Sequence, residues 1–101
     1  MHIKSLLDTT LNQAWDELMG AKLYYDLYEE YKIDMPNNAK VFLEIAPIEL
    51  SHFDKLMNAF DILMETMKET EKELKMVWEY EKKRLMKYSR EIKNEISNAR
   101  F

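Results

Sequence analysis

Glycine and proline, the residues that punctuate a chain most strongly, are nearly missing from this one. Gly20 is the single glycine, Pro36 and Pro47 are the only prolines, and Ile48 to Phe101 contains neither. A chain with so few places to turn forms long helices. It cannot form a turn-rich β-sandwich, a collagen-like repeat or a low-complexity tail. At 47% hydrophobic, its 101 residues suffice for one domain with a single modest core. The fold class expected is therefore all-α, a single domain over 1–101.

Three helices account for the pattern. Helix 1 is expected over 5–33, starting near Ser5 or, from the capping-box spacing of Thr10-Leu11-Asn12-Gln13, at Thr10. Its apolar stripe is Leu7, Leu11, Ala14, Leu18, Ala21, Tyr25 and Tyr28, three and four apart. Pro36, Asn37 and Asn38 with Asp34 mark the clearest turn. Helix 2 is expected over 36–66, with the stripe Phe42, Ala46, Leu50, Phe53, Leu56 or Met57, Phe60, Leu63 or Met64, and Met67. Pro47 falls inside it and removes the bond to the Leu43 carbonyl. Helix 3 is expected over 70–99, on Leu74, Val77 or Trp78, Leu85, Tyr88, Ile92, Ile96 and Ala99. Thr66-x-x-Glu69 and Thr70-x-x-Glu73 both have capping-box spacing and favour a break between helices 2 and 3 near 66–71, although the lack of any breaker there also allows one bent helix of about fifty residues. Long helices on short connections pack side by side, here as an antiparallel hairpin plus a long third helix.

Composition excludes several function classes. With no cysteine there is no disulfide scaffold, cysteine zinc site, iron–sulfur cluster or cysteine nucleophile. No apolar run reaches membrane-spanning length, and Met1–Ser5 lacks a signal-peptide layout, so no membrane partner and a cytoplasmic location are expected. Residues 1–65 hold 5 Lys/Arg against 12 Asp/Glu, while 66–101 hold 10 against 7. The acidic first part argues against nucleic acid as a partner and suits a cation as ligand. The basic run Lys82-Lys83-Arg84 reads as a solvated helix face.

The informative positions are polar groups set among apolar ones. Glu49 lies between Ala46 and Phe53 on the helix 2 stripe, and His52 follows one turn later. Glu17 lies on helix 1 between Ala14 and Ala21. Such groups cannot sit unpaired in a core without a cost of several kcal/mol. Either they pair with each other, or the helices turn them to water, or a metal holds them. Glu-x-x-His offers one oxygen and one nitrogen ligand on a single helical turn, the spacing used with a neighbouring-helix Glu in carboxylate-bridged di-iron and di-manganese bundles.

Asp16-Glu17-Leu18-Met19-Gly20-Ala21-Lys22-Leu23-Tyr24-Tyr25, then a turn, then Phe42-Leu43-Glu44-Ile45-Ala46-Pro47-Ile48-Glu49-Leu50-Ser51-His52-Phe53, resembles the first helix pair of the ferritin-like superfamily. The nearest types are rubrerythrin-type domains and the short encapsulated ferritins, and the resemblance covers about residues 10–60. It implies that Glu17, Glu49 and His52 are metal ligands and catalytic residues, with Glu49 bridging two metals. It implies iron, two per dimer, with manganese or zinc able to occupy the site, and ferroxidase chemistry. The chain carries one Glu-x-x-His where a full-length bundle of that superfamily carries two, so the resemblance implies the short, half-bundle arrangement. Half a site on half a bundle requires an isologous dimer, giving a ferritin-like four-helix bundle completed by dimerisation, as a homodimer or a ring of dimers.

Pro47 departs from the family pattern, either as a bulge that re-aims Glu49 or as the mark of a degenerate site. Two further residues are candidates in support: Tyr24 could hydrogen-bond a ligand, and Glu81 interrupts the third stripe and could point inward. For each the alternative is plain: core packing for Tyr24, a rim ion pair with Lys82 or Arg84 for Glu81. Gly20, one turn from Glu17, costs about 1 kcal/mol in a helix and would allow two helices to approach closely. The eight methionines suit adaptable packing more than metal ligation. The second functional reading is a non-catalytic helical assembly protein, associated with a phage virion or a protein shell, that keeps the same fold.

Overall fold

The computed structural model describes residues 3–67 and 71–99. They form three helices and, among the described residues, no strand: α1 (Ile3–Tyr31), α2 (Pro36–Glu65) and α3 (Lys72–Ser97). None of these helices is long and apolar enough to cross a membrane. Glu69 and Thr70, each part of a capping-box candidate, lie outside the described residues.

Helix α1 is already formed at Ile3, upstream of both capping candidates. Thr10 does not cap it. Its side chain is buried, and its hydroxyl donates to the Leu6 carbonyl one turn back at 2.7 Å. A threonine bonded this way is a mid-helix residue. Thr66 likewise ends α2 instead of starting α3, its hydroxyl and its amide both donating to the Leu63 carbonyl while the Met67 amide donates to the Met64 carbonyl. α3 starts behind Glu71 with no side-chain cap.

The reversal between α1 and α2 is tight. The Met35 amide donates to the Tyr31 carbonyl at 2.8 Å, and the Met35 carbonyl accepts from the Ala39 amide at 2.9 Å. Pro36 opens α2, where its missing N–H costs no intrahelical bond. Pro47 does not break α2, which passes through it as uninterrupted α-helix, without a π-bulge. Pro47 is exposed, so the Leu43 carbonyl it leaves without a partner lies on the solvent side.

The core follows the spacing for most of the three stripes, but Tyr25 and Phe42 are only half-buried and Val77 faces solvent. Leu7, Leu11, Ala14, Leu18 and Ala21 of α1 pack with Leu50, Phe53, Met57, Phe60 and Met64 of α2, and α3 adds Leu85 and Ile92. The pairs Glu17–His52 and Tyr24–Phe42 show α1 and α2 antiparallel. α3 runs back parallel to α1: Trp15 stacks on Tyr88 with ring centroids 5.8 Å apart, and Lys22 bonds Glu95 at 3.0 Å. Against α2 it makes the ion pairs Asp61–Lys82 at 2.7 Å and Asp54–Lys93 at 3.0 Å. Lys83 and Arg84 are exposed, as expected of a solvated face.

The molecule is a rod of 56 × 22 × 15 Å with a radius of gyration of 16.3 Å. A compact chain of this length has a radius near 13 Å. A 30-residue helix is about 45 Å long, so the stagger of α3 and the connections supply the rest. A thin rod leaves apolar groups outside: Leu23, Val41, Ile48 and Ile62 on the hairpin, and Met76, Val77 and Tyr80 on α3, are exposed.

Candidate metal centre

Glu17 comes from the middle of α1, Glu49 and His52 from the facing stretch of α2. One ligand atom of each lies within 4.8 Å of the other two. The sequence set these residues 32 and 35 positions apart; the antiparallel hairpin brings them together. Glu17 and Glu49 are half-buried and His52 is exposed. Among the described residues no other cluster of His, Asp and Glu meets this standard.

The orientation follows from helix geometry. Each residue advances about 100° around the axis, so Glu17 points about 200° away from Trp15, and His52 about 200° away from Asp54. Trp15 and Asp54 both touch α3. The cluster therefore opens on the face of the hairpin that α3 leaves uncovered. One turn to either side on α2, Ile45 and Leu56 continue that face as partly buried apolar groups.

The site is electrostatically incomplete. His52 Nδ1 stands 3.4 Å from Glu17 Oε2, with side chains 49% and 24% exposed. The distance suits a charge contact and is long for a hydrogen bond. Glu17 Oε2 is buried and has no hydrogen-bond partner. The carboxyl of Glu49 is held above the usual carboxylate range, first by its hydrogen bond to Glu17, then by burial, then by the Glu17 charge, with the His52 imidazole opposing. Two carboxylates thus crowd each other, with the exposed His52 imidazole beside Glu17.

These donors fit a divalent cation. Ligands about 2.1 Å from one ion stand at most about 4.2 Å apart, so the present spacing needs only a small inward adjustment. Mixed carboxylate and imidazole donors suit iron, manganese or zinc. Three protein ligands do not fill the coordination sphere of such an ion, and among the described residues no fourth His, Asp or Glu joins the group.

The supporting candidates fall elsewhere. The Tyr24 ring stacks on Phe42, centroids 6.3 Å apart. Glu81 is bound by Arg84 at 3.0 Å, one turn along α3, in the rim pair that was its alternative. Gly20 touches the site in a way that spacing alone did not show. A Cβ built there would lie 3.2 Å from Glu49 Oε2. The signal was available as a lone glycine, three residues after a ligand candidate, in a helix with no need of one.

No family model, curated protein or solved structure matches the chain.

Proposed function

We propose that this chain is a ferritin-like di-iron protein whose metal site is completed by a second copy across a two-fold axis. The observation that carries the reading is the convergence of Glu17, Glu49 and His52 on the uncovered face of the hairpin. Pairing two such faces would make a four-helix bundle from two hairpins and give the site four carboxylates and two imidazoles. The exposed Leu23, Val41 and Ile48 suit burial in such a contact. The unpartnered Glu17 Oε2 and the crowded Glu49 carboxyl are what a site lacking its cation would carry.

In this arrangement Glu17 and His52 would each hold one metal and Glu49 would lie between the two. The acidic first two helices would draw ferrous ions in as substrate. The chemistry supplied there is oxidation of ferrous ion by dioxygen, one electron leaving each iron. The surrounding Ile45 and Leu56 would keep bulk water from the ligands.

The test is native mass spectrometry with and without ferrous ion under exclusion of air. The wild-type chain is expected as a dimer carrying two metals. Glu49→Ala and His52→Ala should each lose the metal and weaken the dimer. Equal metal content in all three proteins would refute the reading.

A second reading, a helical assembly protein without turnover, is favoured by Met76, Val77 and Tyr80, exposed on α3 well away from the cluster. Air oxidation of ferrous ion at no more than the buffer rate, by a chain that still dimerises, would favour it.

A further inference from the structure

Gly20 is the only glycine in the chain and sits inside α1. A glycine at such a position costs about 1 kcal/mol relative to alanine. Two common reasons for accepting that cost do not apply. No residue has a positive φ among the described residues, so the backbone does not require it. Nor is it a point of backbone contact, as the sequence suggested. The three atoms nearest to a Cβ at this position are Oε2, Cδ and Cγ of Glu49, at 3.2, 3.5 and 3.6 Å. The space left by the missing side chain is therefore taken up by one carboxylate.

We infer that Gly20 is a positioning residue for Glu49: the absent Cβ sets where the Glu49 carboxylate stands between the two helices. The inference rests on the reading of Glu17, Glu49 and His52 as metal ligands. A methyl group at position 20 forces Oε2 to give way by a few tenths of an ångström. A ligand atom of Glu17 lies within 4.8 Å of one on Glu49, so a shift of Glu49 changes its spacing from a second ligand candidate. Metal–ligand distances tolerate changes of only about 0.2 Å. The displacement is small on the scale of helix packing and large on the scale of a coordination bond.

The experiment is a Co²⁺ titration of the wild type, Gly20→Ala and Gly20→Val, followed by visible ligand-field absorbance, with thermal melts of each metal-free protein. Gly20→Ala is expected to bind Co²⁺ about tenfold more weakly, the usual scale for disturbing a group that orients a ligand. Its absorption bands should shift in position or intensity, and Gly20→Val should show a larger loss. The metal-free Gly20→Ala protein should melt no lower than the wild type, because alanine favours the helix. A merely structural glycine would lower the melting temperature and leave the spectrum alone. If the wild type binds Co²⁺ and Gly20→Ala binds it with the same affinity and spectrum, the role of Gly20 is wrong while the metal site stands. If the wild type binds no Co²⁺, the metal reading fails and this inference with it.

Discussion

Replacing Glu49 by glutamine separates the metal-free protein from the metal-bound one, because the two should respond in opposite directions. The amide keeps the shape of the side chain and removes one of two negative charges held within 4.8 Å. At an effective dielectric of 20, that separation corresponds to a repulsion of about 3 kcal/mol. Both side chains reach solvent, Glu17 with 24% exposure, so water and salt reduce the gain to about 1 kcal/mol. The amide can also donate to Glu17 Oε2, which has no partner now. Metal-free Glu49→Gln should therefore melt about 4–8 °C above the wild type at pH 7.

The sign with pH is fixed by the raised carboxyl of Glu49. Below its unfolded-state value, near pH 4, both states hold the proton and the wild type keeps its full stability. As pH rises through the higher folded-state value, the folded protein must give the proton up, and stability is lost. The advantage of glutamine should thus be absent near pH 4 and grow toward neutrality. With Mn²⁺ at about one hundred times its dissociation constant, the wild type should gain about 2.7 kcal/mol and the variant nothing. Circular dichroism melts at fixed protein concentration, in chelator at pH 4 and 7 and then with Mn²⁺, measure all of this. A variant that melts at or below the wild type at pH 7 in chelator, or keeps the same advantage at pH 4, would refute the account of two opposed carboxylates.

Four further outcomes follow from the packing. Phe53→Ala and Phe60→Ala each empty a fully buried site and should cost about 3–5 kcal/mol by urea denaturation, enough to unfold much of a domain this small. Trp15→Ala should loosen α3 from the hairpin by about 1 kcal/mol beyond lost area, seen as faster amide exchange in α3 with the hairpin little changed. Pro47→Ala restores a helix donor on an exposed face and should raise the unfolding free energy measured in urea by up to about 3 kcal/mol. Tyr25, part-buried and donating to Glu29, should ionise at about 12, and the ultraviolet alkaline titration should lose that phase in Tyr25→Phe.

Much of the architecture was present in the order of residues. The apolar positions of α1 and α2, recurring three and four apart, could bury themselves only as helices, and Leu7, Leu18, Phe53 and Phe60 are buried as that spacing requires. The turn at 32–35 was equally plain, since Pro36 and its neighbours leave the chain no alternative there. Capping was not. Thr10 and Thr66 have the right sequence spacing for a helix start, yet their hydroxyls bond backward to carbonyls inside a helix, and neighbouring turns alone decide which of these bonds forms.

The site divides in the same way. Sequence placed Glu17, Glu49 and His52 on apolar faces; it could not say that those faces meet, because register between helices is set by how side chains interlock across them. Glu81 shows the limit, being as well placed on its stripe as Glu49 but captured by Arg84 on its own helix. Gly20 shows the gain: the missing Cβ has meaning only once the opposite helix brings a carboxylate to within 3.2 Å of it. Local propensity and periodicity are properties of one segment and can be read along the chain, whereas distance between segments exists only after they have packed.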